Sequence, residues 1–594
     1  MNEHSVLCEY ENQTVWSKDS SIKLNYCCSG GKSAVSEVLM VRRVVLTGKP
    51  AMLVLPFVSI CAEKSAHYKK VFGPLKKEVV EFYGGQHTSM QIPLSTGMIV
   101  CTIEKANIML NQWLEESTLS SMISGICVDE LHMVGDADRG YILELLLTKL
   151  RYLSQSMEEN RVSSGLETRD IQIVAMSATI SNVDKLASWL GAMLYKTDYR
   201  PIPLKQYLVS KDDVLDQDGK SVRNLPLNKN RRTDEDILGA LVQECVQDGH
   251  SVIVFCASRS SCERTATFLS KKLDSVPERQ HLTGEKGQKA SFTTSLGTPE
   301  SELFAEDDMP SRELISQAIE SHENPGEGKS AELKGTLSKL VSHGIGYHHA
   351  GLESEERELV ELAFKTGKIQ VICATSTLAA GVNLPARRVI FKHPYVRFKT
   401  NLLDPSKYKQ MAGRAGRAGL DTLGESFLMS CKGIPDSRLL QLMNQDVAPL
   451  ESCLQGDKKG MHRAMLEVIA TGMVRSPSDV ERYVKSTLLA ATASFDDVVE
   501  FTKMALTWLG KKEQGYIVWD PQKQEYRATN VGVAVQSSGL PPEICIDIMV
   551  DLNRAREALV LASDLHLTYI CVPLNEDIHV DWQRLLQIVN ALSV

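Results

Sequence analysis

The chain has 594 residues, of which 43% are apolar, 24% charged and 6% aromatic. This composition excludes a disordered chain, a collagen and a small disulfide-stapled protein, and at roughly 150 residues per domain the length predicts about three to five domains. The formal net charge is −8, from 66 Lys and Arg against 74 Asp and Glu, so binding to a nucleic acid would require a local basic patch.

The cysteines and the apolar runs exclude two further classes of protein. The 14 cysteines are sparse, and no pair has the C-x-x-C spacing of a zinc or redox site, so we expect free thiols in a reducing compartment. No run of about 18 apolar residues occurs, and the N-terminus lacks the basic start and apolar block of a secretory signal. We therefore expect neither a membrane-spanning helix nor secretion.

Short apolar runs without polar alternation, each bounded by turn residues, predict strands of parallel sheets that are covered on both faces. They lie at residues 23–26, 52–55, 125–128, 171–174, 252–255 and 369–372. Between them, residues 141–153 have the apolar spacing of an amphipathic helix. This α/β pattern extends from about residue 20 to about residue 440.

Other stretches depart from the α/β pattern. It is lost at residues 154–169, 210–236 and 273–335, and the last of these is polar and rich in Gly and Pro, which predicts a long flexible insertion. After residue 450 the apolar residues have the spacing of helices. Finally, two short runs around a polar turn, at 517–519 and 526–528, predict a β-hairpin of the kind found in winged-helix domains.

A glycine-rich segment, Ser29-Gly30-Gly31-Lys32-Ser33, follows the first predicted strand and opens an apolar-periodic helix. Consecutive glycines allow backbone N–H groups to surround an anion at a helix N-terminus, where the helix dipole also favours phosphate. Lys32 would then reach the β- and γ-phosphates, and the Ser33 hydroxyl would bind Mg²⁺. Because Tyr26 stands where a P-loop has its first glycine, a glycine turn that only caps the helix explains this segment equally well.

An acidic pair, Asp129-Glu130, directly follows the predicted strand at residues 125–128 and begins the sequence DELH. Ligands of open α/β folds bind at the carboxyl edge of the parallel sheet. There, Asp129 could hold Mg²⁺ through water, and Glu130 could orient and deprotonate an attacking water. Taken together, the glycine-rich segment and the acidic pair favour a nucleoside triphosphatase over a chance acidic strand end.

Further blocks follow in the order found in superfamily 2 DExH helicases, which the chain resembles. They are LPFVSI (55–60, motif Ia), CTIEKAN (101–107, Ib), DELH (129–132, II), SAT (177–179, III), VFCAS (254–258, IV), HHAGL (348–352), ATSTLAAGVNLPARRVI (374–390, V) and QMAGRAGRAG (410–419, VI). DELHMVGD, HHAGL, STLAAGVNLPARR and YKQMAGRAGRAGLDTLGES are most similar to one group of this superfamily. It comprises the helicase domain of DNA polymerase theta and the polymerase-theta-like repair helicases.

The resemblance implies a fold and an activity. It implies two tandem RecA-like parallel-sheet domains, at residues 1–205 and 206–445, then a winged-helix domain at 446–540 and the start of a helical ratchet domain at 541–594. It also implies an ATP-dependent DNA helicase or translocase with ATP and Mg²⁺ as cofactors, moving 3′ to 5′ in nuclear DNA repair. The partners would be single-stranded and forked DNA and repair proteins; the oligomeric state is not indicated.

The resemblance further implies roles for individual residues. Phosphate would be bound by Gly30, Gly31, Lys32 and Gly381, Mg²⁺ by Ser33 and Asp129, and the general base would be Glu130. Gln410, Arg414 and Arg417 would face the γ-phosphate from the second domain, where they would supply positive charge only on closure. His132, Ser177 and Thr179 would couple the nucleotide to the bound strand, whose phosphates Val58, Ser59, Thr102 and Lys105 would contact. Adjacent His348 and His349 lack partners with ligand spacing, so no metal other than Mg²⁺ is predicted.

Residues 386–417 carry nine Lys or Arg against one acid, Asp404, with Tyr395, Phe398 and Tyr408 interleaved. This is the local basic patch that an acidic chain needs to bind a polyanion, and the aromatic rings could stack on bases. The predicted nucleic-acid contacts are Arg387, Arg388, Arg397 and Lys399. A solvated charged face is the alternative. By resemblance, residues 394–408 hold a strand-separating hairpin.

The chain departs from its relatives near the N-terminus. Residues 1–26 lack the aromatic–Gln pair that reads adenine, and Cys28 stands where relatives usually have Thr. We therefore expect weakened adenine selectivity, loss of tight ATP binding, and an N-terminus that is truncated or a misjudged gene start. The ratchet domain would begin near Pro541 and is expected to be truncated at Val594. Two other functions stay open. One is an RNA-remodelling ATPase, distinguishable through the 2′-hydroxyl, and the other is a nucleic-acid-binding scaffold deficient in ATP hydrolysis.

Overall fold

The computed structural model describes most of the chain. The described residues are 22–26, 32–84, 92–136, 139–164, 171–177, 180–196, 200, 202–226, 233–273, 276, 311–321, 337–378, 384–396, 401–417, 421–455, 460–511 and 514–557. By its contacts, the chain divides into two compact units. The first is formed by Met1–Asn107, Leu119–Leu143 and Leu153–Glu451, and the second by Ile108–Thr118, Glu144–Tyr152 and Ser452–Val594.

Two sheets form the framework of the first unit, and the first of them is parallel throughout its described strands. Its strands are β1 Ile22–Tyr26, β2 Ala51–Leu55, β3 Glu78–Phe82, β4 Thr96–Thr102, β5 Gly125–Val128, β6 Gln172–Ser177 and β7 Met193–Lys196. They lie in the order β3-β4-β2-β5-β6-β1-β7. Strands β2, β4 and β5 are buried along their whole length, as expected for a parallel sheet with both faces covered.

Helices follow most of these strands. They are α1 Lys32–Thr47, α2 Val58–Phe72, α3 Ile103–Glu115, α4 Leu119–Met122, α5 Gly140–Ser164 and α6 Val183–Leu190, with 3-10 turns at Gly73–Leu75 and Leu131–Gly135. Helix α5 corrects the expectation that regular structure is lost from residue 154. Residues 154–164 are polar but contain neither Gly nor Pro, so nothing in them stops the helix.

The second sheet is parallel except at one edge, where β9 and β10 are antiparallel. Its strands lie in the order β10-β9-β8-β17-β14-β11-β13-β12. The strands of this part of the chain are β8 Leu204–Ser210, β9 Asp213–Leu215, β10 Ser221–Asn224, β11 Val252–Phe255, β12 Ile345–His348, β13 Val371–Ala374, β14 Arg388–Phe391, β15 Tyr395–Val396, β16 Asn401–Leu402 and β17 Gly424–Met429. Strands β15 and β16 form a separate antiparallel hairpin.

The second sheet has its own helices and its own apolar core. The helices are α7 Asp234–Gln247, α8 Arg259–Lys272, α9 Arg312–Ser321, α10 Ser354–Lys365, α11 Pro405–Ala412 and α12 Asp436–Asn444. Helix α9 corrects part of the predicted flexible insertion at residues 273–335. Its Ile315 and Ile319 are buried in this core, because a spacing of four residues places both on one helix face. Most of the remaining insertion lies outside the described residues.

The second unit contains helices and the hairpin predicted near its middle. Its elements after residue 451 are α13 Gly460–Ala470, α14 Pro477–Lys485, α15 Leu488–Thr492, α16 Phe495–Leu509, β18 Ile517–Asp520, β19 Glu525–Ala528, α17 Asn530–Ser538 and α18 Pro542–Glu557. Strands β18 and β19 are antiparallel, with Trp519 opposite Tyr526, which confirms the predicted hairpin. Among the described helices, none is long and apolar enough to span a membrane.

A buried ionic network lies inside the second unit. Lys149 Nζ donates to Asn111 Oδ1 (2.5 Å) and Glu467 Oε2 (2.8 Å), and Arg463 Nε donates to Glu467 Oε1 (2.6 Å). Burial alone would raise the pKa of Glu467, but Lys149 and Arg463 lower it to about 2. The network therefore consists of charged groups that compensate one another.

Candidate active site

The phosphate-binding segment lies between β1 and α1. Helix α1 begins at Lys32, and Ser33 is half-buried in its first turn. The structure thus provides the helix N-terminus that phosphate binding requires. Gly30, Gly31 and the side chain of Lys32 lie outside the described residues, so their predicted roles stay predictions.

The acidic pair follows β5 directly, as predicted. The Asp129 N–H donates to Val54 O (3.1 Å), and Asp129 Oδ1 accepts from the Glu130 N–H (2.9 Å). Glu130 has φ 55° and ψ 49°, a left-handed conformation that costs a non-glycine residue on the order of 1–3 kcal/mol. Such strain is typical of functional sites, and here it turns the chain sharply at the carboxyl edge of the sheet.

Two predicted coupling residues lie beside this pair. His132 Nδ1 is 3.3 Å from Glu130 Oε2. Ser177 ends β6, the strand next to both β1 and β5, and is level with Tyr26 in the register. Its buried hydroxyl has no hydrogen-bond partner in the part of the chain that the structure describes, which is uncommon in proteins and often marks a site for a ligand or water. Thr179 lies outside the described residues.

The predicted strand contacts of the first sheet lie at two neighbouring strand ends. Leu55 and Thr102, the last residues of β2 and β4, are register partners. Val58 and Ser59 are exposed at the start of α2, Lys105 is half-buried in the first turn of α3, and Thr102 is 7% exposed. The two helix N-termini therefore open on the same edge of the sheet, with Thr102 offering only a small surface.

One residue that the sequence analysis missed links these segments. Arg139 Nε donates to Glu104 Oε1 (2.6 Å), and the Arg139 guanidinium lies 5.8 Å from the centre of the Phe57 ring. Phe57 belongs to the motif Ia block and Glu104 to the motif Ib block. No periodicity or spacing in the sequence marks Arg139 for this role, because its partners are distant along the chain.

Arg414, just after helix α11 of the second sheet's helices, senses the charge of the acidic pair. Burial lowers the pKa of the Arg414 guanidinium below its ordinary value, and the carboxylates of Glu130 and Glu63 offset only part of this effect. We call the first sheet with its helices the first α/β domain and the second sheet with its helices the second. Glu130 and Glu63 both belong to the first α/β domain, so a cation of the second domain lies within electrostatic range of the acidic pair of the first. Gln410 is half-buried in α11, one turn before Arg414.

Arg417 lies in a different environment from the predicted one. Its Nε and Nη2 atoms donate to the two carboxylate oxygens of Asp421 (2.8 and 2.9 Å), and its N–H donates to Asp421 Oδ2 (2.9 Å). The side chain of Asp421 is fully buried, so it requires such a partner. The Arg417 guanidinium is thus held within its own domain, and its predicted place at the γ-phosphate stays a prediction.

The predicted basic patch is not one surface. Arg388 is 5% exposed; it donates to Glu425 Oε2 from Nε (3.0 Å) and Nη2 (2.7 Å) and to Glu244 Oε2 from Nη1 (2.7 Å). Tyr408 is also buried, with its ring 4.9 Å from that of Phe391. The predictions that Arg388 contacts nucleic acid and that Tyr408 stacks on bases are wrong, because both side chains complete the core of the domain.

Other residues of the predicted patch are at least partly exposed. Arg387 is half-buried, and Lys407 has a side chain that is 58% exposed. Strands β15 and β16 form a hairpin within residues 394–408, where the resemblance predicts one. Arg397, Phe398, Lys399 and Gly381 lie outside the described residues.

The adjacent histidines each have a separate carboxylate partner. His348 Nε2 is 2.9 Å from Glu361 Oε1, and His349 Nε2 is 3.1 Å from Glu263 Oε1. In the described ranges, no three or more His, Cys, Asp or Glu side chains converge as a metal site.

Family models match the chain in the order of these structural parts. The DEAD/DEAH box helicase model matches residues 18–186, and the helicase conserved C-terminal domain matches 326–419. A helix-turn-helix domain matches 424–514, and the "DNA_pol_Q helicase like region helical domain" matches 542–594.

Relatives that align with most of this chain give the same result. DNA polymerase theta of Mus musculus is 36% identical over 575 residues, which is 94% of this chain and 22% of that protein. The Helicase POLQ-like protein of Homo sapiens is 31% identical over 95% of this chain and 49% of its own length. ATP-dependent DNA helicase Hel308 of Thermoplasma volcanium is 30% identical over 76% of this chain and 55% of its own length.

The chain belongs to the polymerase-theta-like superfamily 2 helicases. This confirms the predicted family and the predicted fold class, two RecA-like α/β domains followed by a helix-turn-helix domain and a helical domain. The chain spans about a fifth to about half of the length of the first relatives it matches.

The donor atoms of this helicase fit a magnesium–nucleotide complex. The Ser33 hydroxyl and the Asp129 carboxylate are hard oxygen ligands, and Asp129 is 8% exposed. Mg²⁺ in phosphate-transfer sites takes few protein ligands and completes its shell with water and phosphate oxygens. A metal at this edge of the sheet would therefore depend on the bound phosphates.

Proposed function

We propose that this chain is the motor of an ATP-dependent DNA helicase that hydrolyses ATP with Mg²⁺ and moves 3′ to 5′ along single-stranded DNA in nuclear DNA repair. The observation that carries the proposal is that Glu130, in the first α/β domain, raises the pKa of the Arg414 guanidinium in the second, so the two charges lie within electrostatic range of each other. A site that is completed by two domains links hydrolysis to the movement between them.

The residues of the cleft have distinct proposed tasks. Gly30, Gly31, Lys32 and Gly381 hold the phosphates, and Ser33 and Asp129 hold Mg²⁺, which when bound neutralises charge on the phosphate oxygens. Glu130 orients a water molecule and accepts its proton. Arg414 supplies positive charge, with Gln410 one turn away, and its removal from water strengthens its attraction for an anion.

The proposed strand-binding edge lies at the ends of β2 and β4. Ser59 and Lys105 stand in the first turns of α2 and α3, where the N–H groups of a helix N-terminus and the helix dipole favour phosphate. Arg139 supports this edge through its contacts with Phe57 and Glu104. His132, Ser177 and Thr179 couple the edge to the nucleotide, since Ser177 ends the strand that lies between β1 and β5.

DNA rather than RNA, the direction of movement and the repair role are supported by similarity. The relatives include proteins named DNA polymerase theta and ATP-dependent DNA helicase Hel308. The hairpin of β15 and β16 lies where a strand separator is expected from the resemblance, which supports forked DNA as the substrate.

The test is steady-state ATP hydrolysis by the purified chain, alone and with single-stranded DNA or RNA of one sequence. We expect DNA to stimulate turnover, and Glu130→Gln to lower the stimulated kcat at least about 100-fold because the general base is lost. Glu78→Gln is the matched control, since Glu78 is exposed on the edge strand β3. Unwinding of duplexes with a 3′ or a 5′ tail then gives the direction.

Other outcomes would favour the other two functions. Stronger stimulation by RNA than by DNA would indicate an RNA-remodelling ATPase. DNA binding without turnover above the Glu130→Gln background would indicate a scaffold. In that case the departures at residues 1–26 and Cys28, which lie mostly outside the described residues, would explain the loss.

A further inference from the structure

Arg200 lies in the segment that joins the two sheets, between β7 and β8. Its Nη2 atom donates to Ala415 O (2.8 Å) and to Gly413 O (3.3 Å), and its Nε atom donates to Ile202 O (2.9 Å). The guanidinium therefore holds the carbonyls on both sides of Arg414 and ties them to the connecting segment.

A second set of bonds holds the same turn from the opposite direction. The Ala386 N–H donates to Arg414 O (2.9 Å), and the Gly416 N–H donates to Ala386 O (2.6 Å). The backbone from Gly413 to Gly416 is thus fixed between the residues that lead into β14 and the connecting segment.

The connecting segment packs closely against this turn. Gly416 has φ +95°, and a Cβ atom there would lie 2.7 Å from Cγ2 of Ile202. A side chain would clash with the segment in addition to straining the backbone. The position of the Arg414 backbone therefore depends on the positions of Arg200 and Ile202.

We propose that Arg200 is a positioning residue for ATP hydrolysis: through the backbone of motif VI it sets where the Arg414 guanidinium stands opposite Glu130. This inference rests on the proposed function. Arg200 contacts carbonyl groups and not the nucleotide. Its effect is geometric, because a displacement of about 1 Å in a group that stabilises a transition state costs roughly 100-fold in rate.

The chemistry of the contact requires an arginine. A planar guanidinium presents several N–H groups in fixed directions and can serve three carbonyls at once, whereas an ammonium group is a single flexible point charge. Lys at this position would restore part of the contact, and Met would keep the length of the side chain while removing every donor.

The kinetic test compares Arg200→Met, Arg200→Lys, Arg414→Met and the double variant Arg200→Met/Arg414→Met in DNA-stimulated ATP hydrolysis. We expect Arg200→Met to lower kcat about 10- to 100-fold while KM for ATP changes less than about threefold. Arg200→Lys should recover part of kcat. The double variant should be no slower than Arg414→Met, because the two residues act as one unit.

A matched control separates positioning from general loss of structure. Arg312 also donates to backbone carbonyls of the second domain, to Lys368 O (2.8 Å) and Val276 O (3.1 Å), but lies outside motif VI. Arg312→Met should leave kcat per folded molecule unchanged. If Arg200→Met keeps kcat within twofold, or if its loss multiplies with that of Arg414→Met, the proposal is overturned.

A measurement without turnover distinguishes failure of the inference from failure of the proposed function. Amide hydrogen exchange of the peptide covering residues 408–417 should become faster in Arg200→Met, because the turn that presents the Gly416 N–H to Ala386 O loses the bonds from Arg200 to Gly413 O and Ala415 O, while that of residues 125–130 stays unchanged. An unchanged exchange rate at 408–417 would refute the positioning role. A wild-type chain without ATP hydrolysis would refute only the proposed function.

Discussion

Two arginines of the second α/β domain, the buried Arg388 and the half-buried Arg414, have pKa values that shift in opposite directions. Burial lowers the pKa of Arg388, yet Cys245, Glu425 and Glu244 raise it by more, so the net change is upward. For Arg414 burial dominates, and the net change is downward.

The difference distinguishes a structural cation, Arg388, from the proposed catalytic cation, Arg414. The partners of Arg388 lie in its own domain and satisfy its donors at 2.7–3.0 Å. The carboxylates that act on Arg414 lie in the other domain. A cation whose pKa is raised by carboxylates of the other domain is suited to receive an anion in the cleft between them, whereas a cation paired within its own domain holds the fold together.

The largest expected effect is that of Arg414→Met on catalysis. We expect kcat for DNA-stimulated ATP hydrolysis to fall on the order of 10³-fold or more, as for other arginines that stabilise phosphoryl transfer, with no loss of folding stability. Arg264→Met, at an exposed position of α8, serves as control. If Arg417→Met instead abolishes turnover and Arg414→Met changes it less than tenfold, Arg417 must leave Asp421 to act at the phosphates.

The second effect is that of Arg388→Met on stability. Removing this cation takes away both Arg388 donors to Glu425 and leaves Glu244 with Arg223, and the free energy of unfolding should fall by roughly 3–5 kcal/mol. Urea unfolding measures it, and the affinity for DNA of the folded fraction should not change. If Arg388→Met weakened DNA binding without lowering stability, Arg388 would contact nucleic acid and would not be a structural cation.

The third effect extends the comparison to a histidine. Burial, with Arg259 and His348, lowers the pKa of His349 to about 4 from its ordinary 6.5. Between these values the unfolded chain binds a proton that the folded chain does not. Stability contributed by His349 is therefore complete above pH 6.5 and is lost as the pH falls toward 4.

Between pH 7 and pH 5 this loss should be about 1–2 kcal/mol of unfolding free energy. His349→Gln should reduce the loss, because glutamine does not titrate, and unfolding curves at the two pH values measure it. His343→Gln, at an exposed position, is the control. An equal pH dependence in wild type and His349→Gln would show that burial does not dominate at His349.

The smallest effect concerns an ion pair that is formed but not buried. Lys485 Nζ is 2.6 Å from Glu481 Oε1, and the two side chains are 56% and 58% exposed. We expect Glu481→Gln to change the free energy of unfolding by no more than about 0.5 kcal/mol, since solvent screens exposed pairs. A loss comparable to that of Arg388→Met would mean that pairing alone, without burial, accounts for the difference.

The sequence predicted what depends on local pattern. Three features each result from residues close together in the chain: the buried strands, the turn after β5 that carries Asp129 and Glu130, and the β18–β19 hairpin, in which Trp519 lies opposite Tyr526. Motif order predicted the family in the same way. These features can be predicted because the spacing of apolar residues and the residues that form turns depend on only a few neighbouring positions.

What the sequence could not predict depends on distant partners. Counting Lys and Arg along residues 386–417 gave a basic patch, but Arg388 points into a core whose carboxylates come from other elements. Arg417 is held by Asp421, only four residues away, yet nothing in the sequence indicates that Asp421 is buried. Arg200 contacts a carbonyl 215 positions later, a distance over which periodicity carries no information.

The buried network of Lys149, Arg463 and Glu467 has a consequence for how the chain is synthesised. Lys149 and Glu467 are 318 positions apart, so at about 5–20 residues per second the ribosome releases Lys149 roughly 15–60 s before its partner. During that interval the ammonium group of Lys149 has no carboxylate to accompany it into an apolar interior. Lys149 should therefore stay hydrated, and its final burial should await the synthesis of Glu467.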